Sequence, residues 1–146
     1  MRISIGSDHG GFDLKEAIKM HLAASGHQVL DFGCAGTDPV DYPDYGERAA
    51  RAVAGGEADR GILVCRSGIG MSMVGNKVPG VRAALCMDER MAESSRRHND
   101  ANALALAADR TPPALAVAIV DAWLAAPFDG GRHARRVEKM ARMERR

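Results

Sequence analysis

The sequence predicts an α/β domain of three layers, a mostly parallel five-stranded sheet covered by helices, with one extra helix at the carboxyl end. Two observations carry this. Short apolar runs of strand length alternate five times with stretches of helical periodicity, the pattern of a parallel sheet with crossover helices. Glycine, proline and aspartate punctuate most of the boundaries between them. A third bounds the answer: 146 residues, with no internal repeat, low-complexity segment or linker, make one domain over residues 1–146 with one sizeable core.

Taken in order, Ile3-Ser4-Ile5 opens as a short strand that ends at Gly6. Leu14, Ala17, Ile18 and Leu22 then recur at helical spacing, and Gly26 stands where a C-terminal cap glycine is preferred. Val29 to Phe32 reads as the second strand, followed by a Gly-, Asp- and Pro-rich loop to Pro43. Asp44 is the expected cap of the next helix, which runs through Ala49, Ala50 and Val53 to Gly55-Gly56. Ile62 to Val64 is the third strand and Met71 to Lys77 the helix after it. Val81 to Leu85, Glu89 to His98 and Ala103 to Ala107 follow as strand, helix and strand. Pro112 and Pro113 start a core helix through Trp123, as suits proline in a first turn. After Asp129-Gly130-Gly131, residues 130–146 form a basic helix with Val137, Met140 and Met143 along one side. An amphipathic helix of this kind docks on its own domain or on a partner subunit.

Charge narrows the function classes. The net charge is +1, which implies no global polyanionic partner. Seven of the 20 basic residues nonetheless fall from Arg132 onward, beside a body that carries an acidic excess. Such a tail reads as a nucleic-acid arm, a solvated helix face or a local phosphate site, and its shortness disfavours nucleic acid. Three cysteines, an odd number without CxxC spacing, form neither a disulfide framework nor a zinc ribbon and point to a reducing compartment. Met1 leads straight into strand-like residues, and the apolar stretch from Ala114 is broken by Asp121, so neither a signal peptide nor a membrane span is expected. The reading is a cytoplasmic protein.

The stretch Gly61-Ile-Leu-Val-Cys65-Arg-Ser-Gly-Ile-Gly70 carries the most chemistry. A buried strand delivers Cys65 to a glycine turn that opens a helix, the place where α/β proteins assemble anion sites. A thiol there lies near backbone N–H groups and the positive end of a helix dipole, which favours thiolate. An inert core cysteine followed by an ordinary turn fits this stretch equally well. Other candidates lie after the first strand, in Gly6-Ser7-Asp8-His9-Gly10-Gly11, and at Asp88 and His98-Asn99-Asp100. Adjacent Asp8 and His9 diverge and no HxxxH or CxxC spacing supports a closed zinc site. The GIG turn fits neither a GxxxxGK[ST] loop nor a dinucleotide fingerprint. A Cys-His-Asn hydrolase built from Cys65, His98 and Asn99 would need an unusual geometry.

Six ordered motifs together resemble a known family: Gly6 to Phe12, Asp41-Tyr-Pro-Asp44, Gly61 to Lys77, Pro79 to Cys86, His98 to Asn102 and Gly130-Gly-Arg-His133. They are similar to the type B ribose-5-phosphate isomerases, a group that includes galactose-6-phosphate isomerase subunits. The resemblance spans nearly the whole chain. It implies a Rossmann-like domain, a homodimer or tetramer of dimers with sites at the subunit interface, and no metal or organic cofactor. It implies a small phosphosugar as the partner, most of all ribose 5-phosphate and ribulose 5-phosphate, with no nucleic acid and no membrane.

By that resemblance Cys65 is the base of an aldose–ketose isomerisation through a cis-enediolate. Backbone N–H groups across Ser67, Gly68, Ile69 and Gly70 suit an oxyanion site, and the Ser67 hydroxyl relays a proton. His98, aided by Asp8, opens the furanose ring. Tyr42 and Asn99 position substrate, while His9, Arg132 and Arg136 grip the phosphate. Two positions depart from the family pattern. Arg66 stands where glycine is usual, and Asp109, followed by Arg110, stands where arginine is usual. Both bear on substrate choice, so the same chemistry on a four- or six-carbon phosphosugar is a rival reading. A non-catalytic phosphosugar-binding paralogue or hetero-oligomer subunit is another, though it has no need of an acid–base set.

Overall fold

The computed structural model describes residues 1–145; the last residue of the expected basic helix, Arg146, lies outside the described residues. Five strands, β1 (Arg2–Ser7), β2 (Gln28–Asp31), β3 (Arg60–Cys65), β4 (Ala83–Leu85) and β5 (Ala103–Ala107), form one sheet in the order β2-β1-β3-β5-β4. Every pairing is parallel. The helices are α1 (Phe12–Ala24), α2 (Tyr42–Ala54), α3 (Ile69–Lys77), α4 (Glu89–Asn99), α5 (Pro113–Ala125) and α6 (Arg132–Ala141), with a 3₁₀ turn at His9–Gly11 and another at Arg142–Arg145.

Strand alternation sorts the core between two faces. Ile62 and Val64 join Ile3, Ile5, Leu104 and Leu106 under α1 and α5, around the fully buried Trp123. Leu63 and Cys65 face the other way, with Ala49 of α2 and Met71 of α3. Each fully buried aliphatic side chain contributes about 1.5–3 kcal/mol. The sequence pattern of β5 suits this position: Ala-Leu-Ala-Leu-Ala is covered on both faces, so it reads as continuously apolar.

Three boundaries differ from the sequence reading. The cap residue of α2 is Asp41, with Tyr42 and Pro43 in the first turn and Asp44 inside it. Proline's fixed φ is preorganised for that first turn, so the helix starts earlier than Asp44. Helix α3 begins at Ile69 rather than Met71, because Gly68 adopts a left-handed conformation (φ 72°) and caps it. Strand β4 is only three residues long, since Val81 N–H closes a turn onto Val78 O before pairing begins. Gly26, with φ 80°, follows α1 as expected.

Candidate active site

The strand order reverses its direction of growth between β1 and β3, and the crevice outside the carboxyl ends of those two strands is where α/β sheets bind ligands. Asp8, His9, Cys65, Ser67, Gly68, Ile69 and Gly70 all follow β1 or β3 at this edge, and Tyr42 is brought to it by α2.

Asp8 is buried, and its Oδ1 accepts the Gly11 N–H at 3.0 Å, capping the 3₁₀ turn. Its other oxygen has no partner among the described residues. His9 Nδ1 accepts the Val40 N–H at 3.1 Å, which assigns the proton of the neutral ring to Nε2 and leaves that N–H as a donor. Cys65 is buried at the last position of β3, paired with Ala107 of β5.

The turn after Cys65 is shaped by two glycines. A side chain at Gly68 would be strained by its positive φ and would meet Leu85 Cδ1 at 2.5 Å. At Gly70 a methyl group would sit 2.7 Å from Tyr42 Cζ, so the phenol ring lies directly over the first turn of α3. Ser67 Oγ accepts the Ile69 N–H at 3.3 Å, leaving its own hydroxyl proton to donate. That bond engages the Ile69 N–H, one of the expected oxyanion donors. The N–H groups of Ser67, Gly68 and Gly70 have no partner among the described residues. Arg66 has no positive φ, so the turn holds it without backbone strain.

The remaining predicted residues lie elsewhere. Helix α4 ends at Asn99 and the chain enters β5 at Ala103, opposite Gly61, while Cys65 lies opposite Ala107. His98 and Asn99 therefore stand at the amino edge of the sheet. Four residues of β3 separate the edges, about 13 Å at a strand's rise. Helix α6 packs on α4 and brings Arg132 and Arg136 to the same edge. One chain thus carries two groups: Asp8, His9, Tyr42, Cys65 and Ser67 to Gly70 on one side, and His98, Asn99, Arg132 and Arg136 on the other.

The amino-edge group includes residues that sequence reasoning missed. His98 and His133 stack with centroids 4.5 Å apart at 14°. Asp129 is pinned by the Arg97 guanidinium at 3.2 Å and by its own N–H to Arg97 O, and its carboxylate lies 4.0 Å from His98 Nε2. Desolvation, then His98 and the Arg132 and Arg136 guanidinium groups, hold the His133 imidazole below its ordinary value, against the pull of Asp129. One donor atom each from His98, Asp129 and His133 lie within 4.8 Å of one another. The two rings are nearly parallel, so their in-plane lone pairs run side by side rather than converging on one ion. The signal available in the sequence is the Asp129-Gly-Gly-Arg-His133 run itself, in which the sequence reading takes Asp129 as part of a chain break and gives His133 no role beyond its place in a motif.

Cys34 and Cys86, given no role from sequence, are buried and free, as is Cys65. Cys34 donates to Gly36 O at 3.2 Å, and burial pushes the Cys86 thiol up to about 11. No helix among the described residues is long and apolar enough to cross a membrane.

Comparison with known proteins places this arrangement. A family model described as Ribose/Galactose Isomerase matches residues 3–140. The Escherichia coli (strain K12) protein named ribose-5-phosphate isomerase B is 46% identical over 145 residues, covering 99% of this chain and 97% of its own. A Pectobacterium atrosepticum protein named D-erythrulose-4-phosphate isomerase is 42% identical over 146 residues, covering 99% of this chain and 95% of its own. The solved structure of Clostridium thermocellum ribose-5-phosphate isomerase B superposes with a TM-score of 0.98 at 53% identity, covering 99% of this chain and 98% of that one.

Proposed function

The chain belongs to the ribose/galactose isomerase family, and from that premise we propose that this sugar-phosphate isomerase interconverts ribose 5-phosphate and ribulose 5-phosphate through a cis-enediolate. The observation that carries the reading is the placement of Cys65 at the β1/β3 switch point, beside a left-handed Gly68, three unpartnered N–H groups and the N-terminus of α3. Cys65 as thiolate takes the proton from C2 of the open-chain aldose and returns it to C1. The negative charge that develops on O1 meets the Ser67, Gly68 and Gly70 N–H groups, and preorganised donors of this kind are worth roughly 3–4 kcal/mol of barrier each. Ser67 Oγ moves the hydroxyl proton from O2 to O1. His98 opens the furanose ring as a general acid–base, aided by Asp8. His9 Nε2–H, Arg132 and Arg136 hold the phosphate, and Tyr42 and Asn99 position the sugar.

This chemistry needs both edges in one place, and the separation of the two groups supports a homodimer, or a tetramer of dimers, in which His98, Asn99, Arg132 and Arg136 of a second copy complete each site. The exposed apolar side chains support the same reading. Ile69 and Met73 of α3, and Met140 and Met143 on or just after α6, are left uncovered in the single chain. Three free thiols support a reducing, cytoplasmic setting.

The test is exchange of the substrate's C1/C2 proton with solvent. The unaltered protein exchanges it, and Cys65→Ala binds the phosphosugar without exchange. Near-normal exchange in that variant removes Cys65 from the base role. A second reading, the same reaction on a four-carbon phosphosugar, is favoured by the name of the Pectobacterium relative and by the position of Arg66.

A further inference from the structure

Arg66 and Asp109, the two positions that depart from the family pattern, meet in space. Arg66 leaves the end of β3 next to Cys65, and its side chain lies across the β1–α1 turn: a methyl group built on Gly10 would be 2.4 Å from Arg66 Cγ and 3.1 Å from Nε. Asp109, after β5, donates its N–H to Arg66 O at 3.0 Å, and its carboxylate lies 3.8 Å from Arg66 Nη1. The two side chains are 66% and 56% exposed, so this ion pair is loose and worth little by itself. The guanidinium makes no hydrogen bond among the described residues. Five donors in a fixed fork are thus held over the crevice with one distant partner.

A shallow cavity of about 240 Å³ beside Asp109 is lined by Gly10, Asp13, Asp109 and Thr111, whose two carboxylates repel a phosphate. Cys65 itself faces α2 and α3, whereas Arg66 reaches toward α1 and Gly10.

We propose that Arg66 is the specificity-determining residue of this isomerase: its guanidinium joins His9, Arg132 and Arg136 on the substrate phosphate, its stem over Gly10 limits the room left for the carbon chain, and Asp109 is its positioning residue. The proposal rests on the isomerase reading above. A phosphate gripped by the residue next to the base must lie within one arginine side chain of it, so short sugars depend on Arg66 most. Longer ones gain room when it is removed.

The experiment compares kcat/KM for four-, five- and six-carbon aldose phosphates in the unaltered protein and in Arg66→Gly, Arg66→Ala, Arg66→Lys and Asp109→Ala. Removal of Arg66 shifts the four- to five-carbon ratio at least tenfold toward the longer sugar, mostly through KM, and Arg66→Lys restores part of it. Asp109→Ala shifts the ratio in the same direction but has no further effect in the Arg66→Ala background. An equal loss at every chain length, or no change, overturns the proposal; thermal melting identifies any variant that is simply unfolded, and Arg66→Lys and Asp109→Ala then decide by the same ratio. If the unaltered protein turns over none of these sugars, the isomerase reading fails instead. The phosphate role is then judged by titration with inorganic phosphate: at least tenfold weaker binding in Arg66→Ala upholds it, and equal binding overturns it.

Discussion

The two edges of the sheet are built by different means. At the carboxyl edge the functional groups hang on strand ends and on turns closed by backbone contact: Asp8 is spent partly as a cap, Cys65 is buried, and Gly68 and Gly70 admit no side chain. At the amino edge His98, Asn99, Arg132 and Arg136 stand exposed on helix ends, held by the packing of α6 on α4 and by Asp129 on Arg97. The first is a preorganised, largely buried set of groups, the kind of setting in which electrostatic interactions are strong. The second is a set of solvated cationic and imidazole groups that gain strength only when something covers them. Each lacks what the other has.

The largest expected effect lies at the carboxyl edge. Cys65→Ala lowers turnover by on the order of 10²–10⁴-fold, the usual contribution of a positioned acid–base group. Cys86→Ala leaves it within about twofold, because that thiol is buried, pushed up to about 11 and outside the crevice. Steady-state assays of the two variants separate a reacting cysteine from a core one.

Next is the anchor beneath the same edge. Lys15, almost fully buried, holds Asp31 at 2.8 Å and Cys34 O at 3.1 Å, tying α1 to the end of β2. Burial works to raise the Asp31 carboxyl, and hydrogen bonds from Lys15 and Lys19 outweigh it and hold the group below its usual value. A carboxyl lowered on folding contributes stability above the unfolded value, near pH 4, that is lost as pH falls through the folded one. Asp31→Asn should therefore cost about 2 kcal/mol at pH 7, because Lys15 loses one of its two carboxylates and keeps Glu16 at 2.9 Å. Denaturant unfolding measured from pH 7 to pH 3 should show a smaller difference at the acid end. A cost that does not change with pH would mean that packing, not charge, holds this edge.

The smallest effect sharpens the contrast at the amino edge. His133 titrates below the ordinary histidine value, about 6.5. Asp129 is the group that works against this lowering. Asp129→Asn should lower the His133 midpoint further, read by NMR titration of the ring protons. A midpoint that rises in the variant would show that Asp129 does not act on the imidazole pair.

Much of this was written in the sequence as local chemistry. Five apolar runs, Gly26, Pro112 and the GIG turn specify their elements through steric and hydrogen-bonding rules that act over a few residues. The lateral strand order is another matter. Nothing in the periodicity of β4 and β5 says that β5 lies between β3 and β4, although the parallel sense alone places His98, at the end of the helix before β5, at the edge opposite Cys65. The contact between Arg66 and Asp109 was out of reach for the same reason: 43 positions along the chain become neighbours only through the pairing of β3 with β5. Asp41 as the cap of α2 was within reach, since Pro43 marks the first turn.

The central claim is that neither edge works alone and that a second copy brings them together. The direct measurement mixes two inactive proteins, Cys65→Ala and His98→Ala, after dissociation and reassociation. Random pairing makes half the dimers mixed, and each mixed dimer has one site with both residues intact, so about a quarter of the unaltered activity returns. Activity that stays at the level of the separate variants would place Cys65 and His98 in the same chain's site and contradict the account.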